Sequence, residues 1–223
     1  SNRLDLVASF VPAGARLLDV GSDHAYLPIA LLQEGKIEAA IAGEVVEGPY
    51  QSALQNVADN GLEDKIEVRL ANGLAAFEPT DGISCITIAG MGGRLIADIL
   101  AAGLDKLANV SRLVLQPNNR EDELRAWLVE HDFRIVDEAI LEENEKFYEI
   151  LVVEQGSQEL TAKELRFGPY LMREQAPAFV QKWSKEVEKL AFALEQVPVE
   201  NQSARASLEE RIAHIKEVLH VSK

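Results

Sequence analysis

The chain has 223 residues, 47% hydrophobic and 26% charged, which is too apolar for disorder and long enough for one full domain with an appendage. A single cysteine excludes an intrachain disulfide and leaves a cysteine-based metal site unsupported, and no metal is expected. The formal net charge of -15 argues against a nucleic-acid substrate, because nucleic-acid binders carry a basic footprint.

The acid is unevenly placed. Residues 1–155 carry 12 Lys and Arg against 27 Asp and Glu, whereas residues 156–223 carry ten of each. No run approaches the ~18 consecutive apolar residues of a membrane span, and the first residues lack the pattern of a secretion signal. The expectation is a cytoplasmic monomer with no membrane partner, in which Ser1-Asn2 reads as a cloning remnant.

From residue 16 onward, β-rich runs at 16–20, 38–43, 65–70, 83–89 and 112–115 alternate with helical stretches at 25–34, 49–60, 94–102 and 121–131. The strand runs are nearly continuous in apolar residues, which predicts a parallel sheet covered by helices on both faces. Gly35, Gly61 and Gly103 stand where three of these helices should stop. Two further runs, 133–140 and 147–154, follow without a long helix between them and predict an antiparallel pair at one edge. The chain is therefore of the α/β class, and a seven-stranded, mainly parallel sheet of this kind resembles the Rossmann-like class I methyltransferase fold.

After residue 156 no strand is expected. Thr161 and Glu164 have capping-box spacing. Apolar residues at Val180, Trp183, Val187, Leu190, Leu194 and Val197, then at Leu208, Ile212, Ile215 and Leu219, form two seams on either side of Pro198. These predict an antiparallel coiled-coil helical hairpin, separable as a second domain (157–223) from the first (1–156). His131, His214 and His220 lack metal-ligand spacing and read as surface residues.

The first strand ends in Asp19-Val20-Gly21-Ser22-Asp23-His24-Ala25-Tyr26, a strand, glycine turn and helix start that presents backbone N–H groups to a ligand. A dinucleotide site would need glycines where Asp23 and Tyr26 stand, and a carboxylate at 23 would repel a pyrophosphate. S-adenosylmethionine has no phosphate and is cationic, so the same acid suits it. Glu44, at the end of the second strand, can accept ribose hydroxyls, with Val45 beside it. Asn72-Gly73 is either an adenine contact or an ordinary turn. Gly90-Met91-Gly92-Gly93 holds three glycines in four positions, which asks for close approach by a ligand or a tight turn. Gln116 to Asn119 end the fifth strand with amides suited to a base edge, unless Asn119 caps the next helix.

Residues 19–28 (DVGSDHAYLP), 43–50 (GEVVEGPY), 89–93 (AGMGG), 116–118 (QPN) and 167–170 (FGPY) together resemble the bacterial tRNA (adenine(22)-N(1))-methyltransferase family, TrmK. The resemblance spans nearly the whole chain. It implies transfer of a methyl group from S-adenosylmethionine to N1 of an adenine in tRNA. Cofactor-binding candidates are then Asp19, Gly21, Ser22, Glu44, Val45, Asn72, Gly73, Gly90, Met91 and Gly92; catalytic candidates are Asp23, His24, Tyr26 and Asn118. Asp23 could equally be a helix cap, His24 a surface residue and Tyr26 a core aromatic.

The segment after the fourth strand lacks the Asp/Asn-Pro-Pro-aromatic pattern of enzymes that methylate exocyclic amines. A ring nitrogen offers its own lone pair and needs only alignment. Lys182, Lys185, Lys189, Arg205 and Arg211 are the expected tRNA contacts, from exposed helix positions. A small-molecule methyltransferase of the same fold and a non-catalytic scaffold are the alternatives.

Overall fold

The computed structural model describes residues 1–219, so His220 lies outside the described residues. Seven strands form one sheet: β1 (Arg16–Val20), β2 (Ala39–Glu44), β3 (Ile66–Leu70), β4 (Cys85–Met91), β5 (Arg112–Pro117), β6 (Phe133–Glu143) and β7 (Lys146–Gln155). Their order is β3-β2-β1-β4-β5-β7-β6, with the first five parallel and β7 antiparallel to both β5 and β6. The β6–β7 hairpin is longer than expected. Asn144 and Glu145 both take positive φ, at 54° and 66°, so the strands pair up to a tight turn that lacks the usual Asn-Gly signal.

Helices α2 (Tyr26–Gln33), α3 (Glu47–Asp59), α4 (Gly93–Ala102) and α5 (Glu121–Glu130) are the expected crossovers. Successive strand residues point to opposite faces. Leu17 therefore enters a core with Leu31, Ala53 and Val114, while Leu18 enters a second with Ile86, Ile96 and Leu124. Each fully buried Leu or Ile contributes roughly 1.5–3 kcal/mol.

A further helix, α1 (Asn2–Ser9), precedes the expected elements. Leu4, Val7 and Val11 have helical spacing, and Val7 and Val11 are buried in the core on the α2 side. Ser1 Oγ accepts from Leu4 N at 3.3 Å to cap its start, and Lys36 Nζ donates to Ala8 O at 3.0 Å to close its end.

The C-terminal region holds α6 (Ala162–Phe167), α7 (Pro169–Glu174), α8 (Pro177–Gln196) and α9 (Gln202–Leu219). The Thr161–Glu164 capping box is formed. Helices α8 and α9 pack on each other around a cluster of Phe167, Leu171, Phe179, Trp183, Leu190, Ile215 and Val218. Phe179 is buried in this cluster with Phe167 and Leu171, whereas Val180, expected in the seam, is 38% exposed.

A buried ion network joins this region to the sheet. Arg125, fully buried, donates from Nε to Glu138 at 2.8 Å, from Nη2 to Glu149 at 2.6 Å and from Nη1 to Leu165 O at 3.1 Å. Glu138 also accepts from Tyr170 N at 2.9 Å. Lys182 on α8 pairs with Glu121 at 3.0 Å and with Glu149. The expected exposed position of Lys182 is thereby corrected: its side chain is only 19% exposed and its ammonium is held by two carboxylates, at the edge of the cleft that Asn118 and Lys185 also line. Gly168 has φ 89°, and an added Cβ would stand 2.7 Å from Arg125 Nη2, which accounts for the glycine of the 167–170 motif.

Candidate active site

The strand order reverses between β1 and β4, and open α/β sheets bind ligands in the crevice beyond the carboxyl ends of the strands at such a point. Gly21 follows β1 there with φ 66°, a left-handed backbone that favours glycine, and the tip of Met91 lies over it, 2.5 Å from where a Cβ would stand. Asp23, His24 and Ala25 follow with φ of 50°, 65° and 60°. Three consecutive non-glycine residues in the left-handed region cost roughly 1–2 kcal/mol each, strain of the kind found at functional sites.

Several bonds hold this turn. Asp19, buried beneath it, accepts from Ser22 Oγ and Thr87 Oγ1, both at 2.7 Å. Burial pushes the Asp19 carboxyl up to about 6, against these two hydrogen bonds, which lower it. Asp19 and Ser22, both buried, are thus tied to each other and to Thr87 beneath the turn. Ser22 N donates to Gly43 O at 3.0 Å, and Asn56 Nδ2 donates to His24 O at 2.9 Å. Asp23 does not cap α2, whose cap position is Ala25. His24 Nε2 lies 3.4 Å from Asp23 Oδ1, and its ring stands 5.3 Å from that of Tyr26. Tyr26 is 56% exposed, so it is not a core aromatic.

Glu44 is 4% exposed, and its Oε2 is a buried atom without a hydrogen-bond partner. Burial raises its pKa, and the N–H groups of Asp23 and His24 act the other way. A buried carboxylate oxygen left without a donor costs free energy unless a ligand supplies one. The hydroxyls of a ribose are such donors, so the residues present fit the nucleoside part of S-adenosylmethionine. Val45, next to it, is 57% exposed. Asn72, also exposed, borders with Leu95 and Asp98 a cavity of about 270 Å³. Gly73 is buried with φ 56°, and an added Cβ would meet Ile99 Cγ2 at 3.1 Å, so its reason is backbone geometry.

The glycines after β4 separate into different causes. Gly90 has φ 78° next to an irregularity in the β4–β5 ladder. Gly93 packs on the loop after β5, where an added Cβ would stand 2.6 Å from Arg120 O and 2.7 Å from Asn119 O. Gly92 starts α4, facing Asn119 Oδ1, and Asn119 does not cap α5, whose cap position is Arg120. Gln116 is fully buried, its amide spent on Gly90 N at 2.9 Å, Pro117 O at 2.9 Å and Asn118 Oδ1 at 3.1 Å. Asn118 and Asn119 are the exposed amides of that segment, and both line a second opening.

That opening is a cleft of about 750 Å³ between the loop after β5, the β6–β7 hairpin and α8. Asn118, Arg120, Lys146, Phe147, Lys185 and Lys189 line it, with Glu121 and Glu186. Lys185 Nζ lies 5.3 Å above the Phe147 ring. Arg205 instead closes the end of α8, donating to Leu194 O and Val197 O, and Arg211 stands 3.9 Å from Glu186. The tRNA (adenine(22)-N(1))-methyltransferase family model matches residues 17–217. The chain belongs to the TrmK family.

A Bacillus subtilis tRNA (adenine(22)-N(1))-methyltransferase is 40% identical, with 98% of this chain and 96% of that protein covered. A solved Streptococcus pneumoniae protein, whose proposed activity is tRNA (m1A22) methylation, is 68% identical with a TM-score of 0.97 over 99% of both chains. Its complex with S-adenosyl-L-methionine superposes at 0.92, with 67% identity and 99% of both chains covered. The TrmK chain described here is thus an S-adenosylmethionine-dependent tRNA (adenine-N1)-methyltransferase. Among the described residues no three His, Cys, Asp or Glu side chains cluster as a metal site, and no helix is long and apolar enough to cross a membrane.

The sequence reading missed Arg3, Thr87, Lys146 and Tyr148 near this site. Arg3 had one signal, the helical spacing of the apolar residues just after it. The others sit on strands and meet the site only through the sheet.

Proposed function

We propose that the crevice at the ends of β1, β2 and β4 receives the methyl donor, and that the basic cleft beside Asn118 receives the tRNA. The observation that carries this is the shared loop after β5. It packs on the Gly90–Gly93 turn on one side and lines the cleft on the other. S-adenosylmethionine, when bound, supplies a methyl group activated by its sulfonium. Glu44 would accept the ribose hydroxyls, Asn72 would border the adenine, and Gly21, Gly90 and Met91 would form the walls at the reacting end.

Methylation at N1 needs no base before attack, so the chain's residues act by orientation and by charge. An adenine paired in tRNA must leave its stack to expose N1. His24 and Tyr26 are the aromatic surface against which it would rest, Asn118 the amide that reads its edge, and Asp23 the carboxylate that offsets the positive charge of the newly methylated ring. Arg120, Lys146, Lys185 and Lys189 would hold phosphates. An acidic chain thereby meets RNA through one local basic surface.

Residues 1–156 would be the donor-binding domain and 157–223 the substrate element, in a cytoplasmic monomer whose site comes from one chain. The test is to incubate the protein with unmodified tRNA and labelled donor, then digest to nucleosides. 1-methyladenosine at position 22 is expected. N6-methyladenosine alone, or a labelled small molecule with tRNA untouched, would overturn the reading.

A further inference from the structure

We infer that Arg3 is a positioning residue for methyl transfer, which fixes the sense of the Asn118 amide through the buried side chain of Gln116. This rests on the assignment of Asn118 to the target base. Arg3 Nη1 donates to Gln116 Oε1 at 2.6 Å, and Gly90 N donates to the same oxygen at 2.9 Å. With two donors on that oxygen, the Gln116 amide cannot turn over. Its Nε2 then points to Pro117 O and, at 3.1 Å, to Asn118 Oδ1. Asn118 is held with one lone pair of Oδ1 on Gln116, which leaves the other lone pair of Oδ1 as acceptor and Nδ2 as donor for a base edge.

The sense of that amide matters for this reaction. An Asn side chain reads adenine by accepting from N6 and donating to N7, a pairing that leaves N1 unencumbered. Turned over, the same amide would set donor against donor at N6. Guanine, with acceptors at both O6 and N7, matches neither sense well. Gly90 N alone would leave one donor on the Gln116 oxygen, and Arg3 adds a charge-assisted bond.

Arg3 is itself anchored from afar. Its guanidinium stands 5.4 Å from the centre of the Tyr148 ring on β7. Glu143 Oε1 on β6 accepts from Asn2 N at 2.8 Å and from Arg3 N at 3.4 Å. The first helix and the edge hairpin thus cooperate to deliver one guanidinium to the catalytic end of the sheet.

The experiment compares Arg3→Ala, Arg3→Lys, Asn118→Ala and the Arg3→Ala/Asn118→Ala double variant in steady-state methylation of an unmodified tRNA. Calorimetric donor affinity and thermal melting are measured for each. R3A should lower kcat roughly tenfold or more while KM for tRNA and donor Kd change less than about threefold. R3K should recover most of the loss, because a lysine ammonium can still supply the second donor to the Gln116 oxygen beside Gly90 N, and it serves if R3A melts early. The double variant should be no slower than N118A, since Arg3 acts through Asn118. A raised KM with kcat kept would make Arg3 a phosphate contact and overturn the inference, as would losses that multiply in the double variant. Full activity in N118A would remove Asn118 from the site, and this role for Arg3 with it; N118A inactive beside a fully active R3A would overturn the Arg3 inference alone.

Discussion

Asp19 and Glu44 are both buried carboxylates beside the donor crevice, but their oxygens are spent differently. Asp19 gives both to hydroxyls of the protein, and burial still pushes it up to about 6. Its folded pKa exceeds the unfolded value of 3.8, so the folded state holds the proton longer and ionisation works against folding. Stability relative to Asp19→Asn is therefore greatest below pH 4 and falls as pH rises through 6, by about 3 kcal/mol in all. Denaturant unfolding of both proteins from pH 4 to 7 checks this; a constant difference would contradict it. Glu44 keeps one oxygen unpartnered. Glu44→Ala should weaken donor binding by roughly 1.5–3 kcal/mol without unfolding the protein, read by calorimetry.

At the level of elements, the site is made by turns pressed against one another. The left-handed run 23–25 is held by Asn56 from α3, and the β4 turn is held by the loop after β5. Gly93 is where the second pair touches, backbone to backbone, so the neighbours cannot swing aside as a side chain would. Gly93→Ala should displace the loop carrying Asn118 at a cost of about 1–3 kcal/mol. Methylation should fall far more than that stability loss implies, while Glu44 still binds donor. Melting, donor calorimetry and single-turnover methylation distinguish the two effects.

Across the whole molecule, the buried ions decide how the C-terminal helices relate to the sheet. A chain ending at Gly156 would remove Tyr170 N from Glu138, Leu165 O from Arg125 and Lys182 from Glu149. Losing partners of buried charges typically costs 3–5 kcal/mol, so the truncated chain should melt early or not cooperatively. This runs against the hairpin as a freely separable unit. The cleaner probe of tRNA binding is Lys185→Glu with Lys189→Glu, since both side chains are exposed. Donor affinity and melting should hold. tRNA affinity should drop, and the slope of log affinity against log salt should shrink by roughly one per lysine.

Local patterning determined much by itself. The strand count, the crossover helices, the glycine turn after β1, the acid closing β2 and the amide after β5 were legible because each depends on neighbours within a few residues. The charge argument against a dinucleotide was equally local. What only tertiary structure decided joins distant positions. Arg3 meets Gln116 across 113 positions, Thr87 reaches Asp19 across 68, and Lys182 turns from solvent to Glu149 across 33. Periodicity records which face of an element is apolar, but it carries no register between elements. A buried polar atom such as Glu44 Oε2 is exceptional only once the groups that fail to reach it are in place.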